Sequence, residues 1–220
     1  MDRLPKNLPY NFCQLKKQIT KESKLFIMKS LVLLAFLSLC ILPTLSSQNL
    51  NVGIKGGLNL YNIYNDNGAK YDNLTGFHVG LLGHIHLTRH LALQPEVVYS
   101  AQGAKYDFLG ETVNVKLGYI NVPLLIQYMF DNGFRMAVGP QIGFLLNAKT
   151  ETNDNDIDIK SNLKSTDLGV AMGLGYIIPK TGLGVDARYN LGLSNINENG
   201  SINSMNRGFQ FGVLYQFSHK

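Results

Sequence analysis

After residue 48 this chain places its large apolar residues on every second position, and that period of two restricts it to β-strands half covered by apolar surroundings. Between 134 and 147, Phe134, Met136, Val138, Pro140, Ile142, Phe144 and Leu146 share one face; Arg135, Ala137, Gly139, Gln141, Gly143 and Asn147 share the other. Followed along the chain, the alternation gives eight segments, at about 50–62, 76–87, 90–102, 116–130, 134–147, 167–178, 183–194 and 207–217. Three connections are short and rich in turn-forming residues: Thr88-Arg89, Asp131-Asn132-Gly133 and Pro179-Lys180-Thr181-Gly182. Four others, at about 63–75, 103–115, 148–166 and 195–206, are long and polar. Long and short connections take turns, so all the long loops lie at one end and all the short turns at the other. Strands of about ten residues in this arrangement specify a transmembrane β-barrel, whose closure leaves no open sheet edge in lipid.

The predicted fold is therefore all-β: an eight-stranded antiparallel up-and-down transmembrane β-barrel, preceded by a helical signal peptide. A soluble lipocalin-like barrel also has eight strands, but its outer wall is polar and its apolar side faces inward. Here the non-apolar face carries Lys55, His78, His84, His86, Gln94, Glu96, Asn121, Gln127, Arg135, Gln141, Asp186, Arg188, Gln210 and Gln216, interleaved with glycines. That set is too poor in lysine and glutamate for a soluble outer wall and suits a hydrogen-bonded lumen. The apolar face also groups its aromatics in two belts, as the two bilayer interfaces favour. Tyr128, Phe130, Phe134, Tyr176, Tyr215 and Phe217 lie toward the short-turn end, and Phe77, Tyr99, Phe144 and Phe209 toward the long-loop end.

The first 47 residues differ. They hold seven of the 20 basic side chains and two of the 15 acidic ones, so the whole formal charge of +5 belongs to them and the remaining chain is neutral. Nucleic acid is thereby not expected as a partner. Met28-Lys29, an apolar run from Ser30 to Leu42 and small residues near Ser46 and Ser47 have the layout of a secretory signal. A transmembrane anchor would need a longer run. The expected organisation is a non-native upstream extension at 1–27, a signal peptide at 28–47 and an outer-membrane barrel domain at 48–220. Both cysteines, Cys13 and Cys40, precede the barrel, which leaves it without disulfides or cysteine-ligated metals. Leu37-Ser38-Leu39-Cys40 resembles a lipoprotein box, but Leu39 is too large for the position before the modified cysteine.

Within this frame the chain resembles the PorT-type outer-membrane β-barrel proteins of Gram-negative bacteria. The resemblance rests on NVGIKGGLNL from Asn51 to Leu60, LALQPEVVYSAQGAK from Leu91 to Lys105, YINVPLLIQY from Tyr119 to Tyr128, and the aromatic-ended final strand. It implies export through the inner membrane, localisation in the outer membrane with lipid around the wall, and handling by the barrel-assembly machinery through the C-terminal strand. Ser218, His219 and Lys220 follow Phe217, a departure from a strictly terminal aromatic.

Eight strands enclose a space that side chains can fill. Lys55, Glu96 and Arg188 fall near mid-height on the lumen face with Asp186 just below, two positive and two negative groups that would neutralise one another as a polar plug built on Glu96 with Lys55 and Arg188. A gated ion path through the same residues is the alternative. His78 and Ser100 fall at similar heights near the outer rim, with Asp167 on another strand, a set that a lipid-modifying enzyme would need to bring together. His84, His86 and His90 invite comparison with a metal site, and Asp154, Asp156 and Asp158 with the start of a calcium loop that lacks its central glycine and later glutamate. No enzyme activity, cofactor or resident metal is expected. The expected role is structural or interactive, with the four surface loops open to a protein partner.

Overall fold

The computed structural model describes residues 50–68, 71–108, 110–152, 156–198 and 203–217. The expected extension and signal peptide lie outside the described residues. Among the described residues nine strands form: β1 (Leu50–Asn65), β2 (Asp72–His86), β3 (Leu91–Phe108), β4 (Glu111–Met129), β5 (Phe134–Glu151), β6 (Asp156–Asp158), β7 (Thr166–Ile177), β8 (Leu183–Gly192) and β9 (Ser204–Phe217). Eight of them close a ring in which each long strand is antiparallel to both neighbours, from β1–β2 round to β8–β9 and back through β9–β1. The closing seam runs from Val52 opposite Phe217 to Asn65 opposite Ser204. β6 stands outside the ring, paired to the upper end of β5 through Lys149 opposite Asp158.

The wall is inverted relative to a soluble protein, with apolar side chains exposed and polar ones buried. Leu58, Leu81, Val97, Val138, Leu174, Val185 and Val213 each leave about half or more of their surface uncovered. Lys55, Glu96, Arg188 and Gln210 are almost wholly buried. All ten aromatics expected at the bilayer interfaces stand on the outer wall, Tyr99 and Phe134 half-buried and the other eight exposed. At the short-turn end Tyr128 meets Phe130 with ring centres 4.9 Å apart, Phe130 meets Phe134 at 5.5 Å, and Tyr215 meets Phe217 at 5.1 Å. Toward the other end Phe77 meets Tyr99 at 5.6 Å, and Phe209 meets Tyr189, an aromatic outside the expected set, at 4.8 Å.

The long-loop end departs from expectation. Much of the polar segment at 103–115 is strand, because β3 and β4 continue pairing from Gly103 opposite Lys116 up to Phe108 opposite Glu111. The expected loop at 148–166 carries β6 and a 3-10 turn at Lys160–Asn162. These extensions are held by a second apolar core above the lumen. Ile63, Ala104, Leu117, Tyr119, Leu145, Ala148 and Ile196 are buried together, with Tyr71, Val115, Ile159 and Leu163 packed against them. The last loop reaches across to supply Ile196, and the Lys164 amide donates to the Ile196 carbonyl at 2.7 Å while the Glu198 amide donates to Asn162 at 3.0 Å. The loops are thus joined into a cap.

Two register shifts accompany this cap, one between Asn73 and His78 where β2 meets β3 and one where β4 meets β5. Gly118 pairs with Asn147 but Tyr119 pairs with Leu145, which leaves Leu146 as an extra residue in β5. The bulge turns Ala148 inward after Leu145 and leaves Asn147 exposed, correcting the inward position that strict alternation assigns to Asn147. Truncating Ile196 to Ala should cost the cap about 2–4 kcal/mol. Amide hydrogen exchange at Lys164 and Glu198 should then accelerate while the β8–β9 ladder stays protected; unchanged exchange at those two amides would show that Ile196 does not hold the cap.

Candidate functional site

The lumen is built in layers, because each strand sends every second residue inward, many of them polar, at matching register. At mid-height the four expected charges meet. Arg188, on β8, donates through both terminal nitrogens to the two carboxylate oxygens of Glu96, on β3, each at 2.8 Å. Lys55, on β1, lies 2.8 Å from Asp186 Oδ2 and 3.7 Å from Glu96 Oε2. Arg188 closes the circuit at 3.7 Å from Asp186 Oδ2, and the Gln94 amide donates to Glu96 at 2.7 Å. A fork-to-fork guanidinium and carboxylate pair is the strongest geometry open to two buried side chains, and it occupies most hydrogen-bonding positions of Glu96. The expectation centred the cluster on Glu96; the structure shares it between Glu96 and Asp186, since Lys55 lies nearer Asp186.

Above the charges comes a layer of neutral polar groups centred on Asn59, which sequence reasoning did not single out, with the inward His78, Ser100 and Gln210 around it. Asn59 donates to the Phe77 carbonyl at 2.9 Å, the Ala101 carbonyl at 2.8 Å and the Ser100 hydroxyl at 3.1 Å. Its carbonyl oxygen meets His78 Nδ1 at 2.8 Å and accepts from Gln210 at 3.1 Å. Higher still, Asn190 donates to the inward-facing Tyr61 hydroxyl at 2.8 Å. Apolar groups accompany the polar ones: Leu82, Ile177 and Leu214 cluster beside the charges, Leu82 opposite Glu96 and Leu214 opposite Lys55, and the cap core with Tyr119 lies toward the loops. A small cavity of about 20 Å³, room for roughly one water, remains beside Gln94, Arg135, Asp186 and Arg188. The inward tyrosines were legible only as members of the lumen half of the alternation, Tyr61 two residues beyond Asn59 and Tyr119 two before Asn121.

The other candidate constellations do not assemble. His78 and Ser100 are cross-strand partners, but His78 bonds to Asn59, and the Ser100 hydroxyl accepts from Asn59, Gln102 and Gln210. Asp167 lies apart from them, accepting from Ser194 at 2.8 Å and Asn206 at 3.0 Å. His84 and His86 touch edge to face, 4.5 Å between ring centres, whereas His90 sits in the β2–β3 turn, stacked on Tyr128 and 3.5 Å from Asp131. Asp158 caps the Lys160 amide, and Asp154 lies outside the described residues. Among the described residues no group of three histidine, cysteine or acidic side chains is placed to hold a metal ion.

Known proteins match this architecture. No curated protein matches the sequence significantly. Among solved structures, Neisserial surface protein A (NspA) superposes with a TM-score of 0.51 at 14% identity, covering 76% of this chain and 97% of its own. Ail, the attachment invasion locus protein of Yersinia pestis, superposes with a TM-score of 0.46 at 15% identity, covering 77% of this chain and 99% of its own. At such identity the likeness to NspA speaks for the fold alone. The sequence profile described as outer membrane protein beta-barrel domain matches residues 46–198, well over half of the chain. With the closed ring, the apolar outer wall and the polar lumen already in place, the chain belongs to the outer membrane protein β-barrel domain family.

Proposed function

We propose that this protein is a PorT-type barrel with a closed lumen, serving the cell envelope as a rigid wall that presents a folded cap, and not as a channel or an enzyme. The observation that carries the proposal is the layered filling of the lumen. The Glu96, Arg188, Lys55 and Asp186 circuit is packed beside Leu82, Ile177 and Leu214, and the cap core lies above it. An ion crossing it would have to part buried charges whose separation costs several kcal/mol. Outer-membrane lipid covers the wall, with the two aromatic groups at its interfaces. The signal peptide directs export, and β9 is the element offered to the barrel-assembly machinery. A protein partner meets the cap, where β3, β4 and β5 rise above the apolar belt and carry an ion pair between Lys116 and Glu151. Catalysis is not part of this reading, because the Ser100 hydroxyl is held by three amide groups and no histidine is bonded to it.

Planar-bilayer recording of the folded protein tests the proposal. The expected record shows no stable openings above the bilayer leak. Long-lived openings of porin-like conductance would overturn the closed lumen and favour a small transport channel through the same residues.

A further inference from the structure

Among the described residues the lumen carries one cation more than its neighbouring carboxylates pair with. Lys55 and Arg188 are matched by Glu96 and Asp186, but Arg135, at the start of β5, makes no ion pair. Its partners are the amide oxygens of Gln127 at 3.3 Å and Gln216 at 3.4 Å, both through the same terminal nitrogen. The other terminal nitrogen and Nε make no bond. Asp186 lines the same cavity without pairing to it, and Asp131 is engaged by Arg89 and His90 on the outside of the turn. Asp167 lies eight residues along β7 from Gly175, the cross-strand partner of Arg135, which is about 26 Å of strand.

Further donors surround this guanidinium. Gln216 is 7% exposed and its amide nitrogen is unpartnered. His84 is fully buried near the Arg135 charge, with Gln94 as its polar neighbour, and neither ring nitrogen makes a hydrogen bond of ordinary geometry. A metal ion at His84 and His86 would be repelled by Arg135, whereas an anion is attracted by it and can accept from the amide and imidazole N–H groups. Buried, unmet donors beside a half-buried cation with no acid paired to it among the described residues attract an acceptor that carries charge.

We propose that the short-turn mouth of the lumen is a binding site for a small oxyanion, of the sulfate, phosphate or carboxylate class, held by Arg135, Gln216 and His84. The planar guanidinium offers its free edge to two oxygens at once, which a halide cannot match. This site is independent of whether the lumen conducts.

The test is titration of the folded barrel in detergent micelles with potassium sulfate against potassium chloride at equal ionic strength, read on the side-chain N–H resonances of Arg135 and Gln216. Saturable shifts with sulfate, larger than with chloride, are expected. Arg135→Gln should weaken sulfate binding at least about tenfold, the loss of one charge-assisted hydrogen bond, while Arg135→Lys keeps part of it and Arg89→Gln changes nothing. Shifts that rise linearly with salt, that are equal for chloride, or that persist in Arg135→Gln would overturn the site. If Arg135→Gln loses its heat-modifiable mobility, the wild-type titration decides alone, because absence of saturation there is sufficient to reject the site.

Discussion

Replacing Arg188 by Ala should lower the unfolding free energy of the barrel by about 3–5 kcal/mol, the range for breaking one side of a buried ion pair. Glu96 would keep its charge in a site where water does not reach it, with only Lys55 at 3.7 Å and the Gln94 amide to answer it. The lost attraction is the smaller part of this effect; the larger is the stranded carboxylate. The asymmetry gives a sharper form of the same test. Glu96→Gln combined with Arg188→Met removes both partners, leaves Lys55 and Asp186 balanced at 2.8 Å, and lets residue 96 keep an amide for Gln94. The double variant should recover most of the loss and lie within about 1–2 kcal/mol of the wild type, since well-packed neutral replacements for buried ion pairs are often tolerated. Urea unfolding into and out of lipid vesicles, followed by gel mobility without heating, measures both. A single variant as stable as the wild type would mean that water or another cation reaches Glu96, and the closed lumen would fail with it.

Those four charges were readable in the sequence because inward and outward positions alternate without error across the middle of each strand. Lys55, Glu96, Asp186 and Arg188 all fall in the inward half, and counting from the short turns puts them at similar heights. Which acid holds which base was not readable. Strand tilt and side-chain length decide that Lys55 reaches Asp186 at 2.8 Å and Glu96 only at 3.7 Å, and neither is a property of the residue order. The outer aromatics were legible for the same reason as the charges. The cap was less so, since its apolar residues are spread over loops whose composition is polar. A signal was present in Val113 and Val115, which carry the alternation of Leu117 and the rest of β4 upstream of its expected start at 116. The bulge at Leu146 had none, since a single extra residue leaves the composition of β5 unchanged and shows only in pairing. Arg135 stood among the lumen-facing polar residues, yet its lack of an acid is a fact about distances between strands far apart in the chain.

Gly57→Ala should destabilise the barrel by about 3 kcal/mol, the upper part of the overpacking range, and Gly57→Val should leave no heat-modifiable band at all. Gly57 faces the lumen on β1 and is the cross-strand partner of Gly212 on β9, so the two glycines meet at the seam that closes the ring. A Cβ on Gly57 would fall inside the contact distance of the Phe211 carbonyl oxygen and 2.5 Å from the Gly212 Cα. These are backbone atoms of the neighbouring strand, with no rotamer through which to retreat. One on Gly212 would come 2.9 Å from both His78 Nε2 and Asp186 Oδ1, so the seam cannot relax by shifting the crowding to the other side. The physical cause is curvature: eight strands make a narrow tube, its inner surface is more crowded than its outer one, and glycine is the residue that lets strands coil tightly there. Gly56, one residue earlier, supplies the control. It points outward, and a Cβ there would meet nothing nearer than the His78 carbonyl oxygen at 3.4 Å, an ordinary contact. Gly56→Ala should therefore stay within about 0.5 kcal/mol of the wild type, as surface changes away from special features do. Equal effects at the two positions would mean that loss of glycine flexibility, common to both, matters more than which face of the wall is filled.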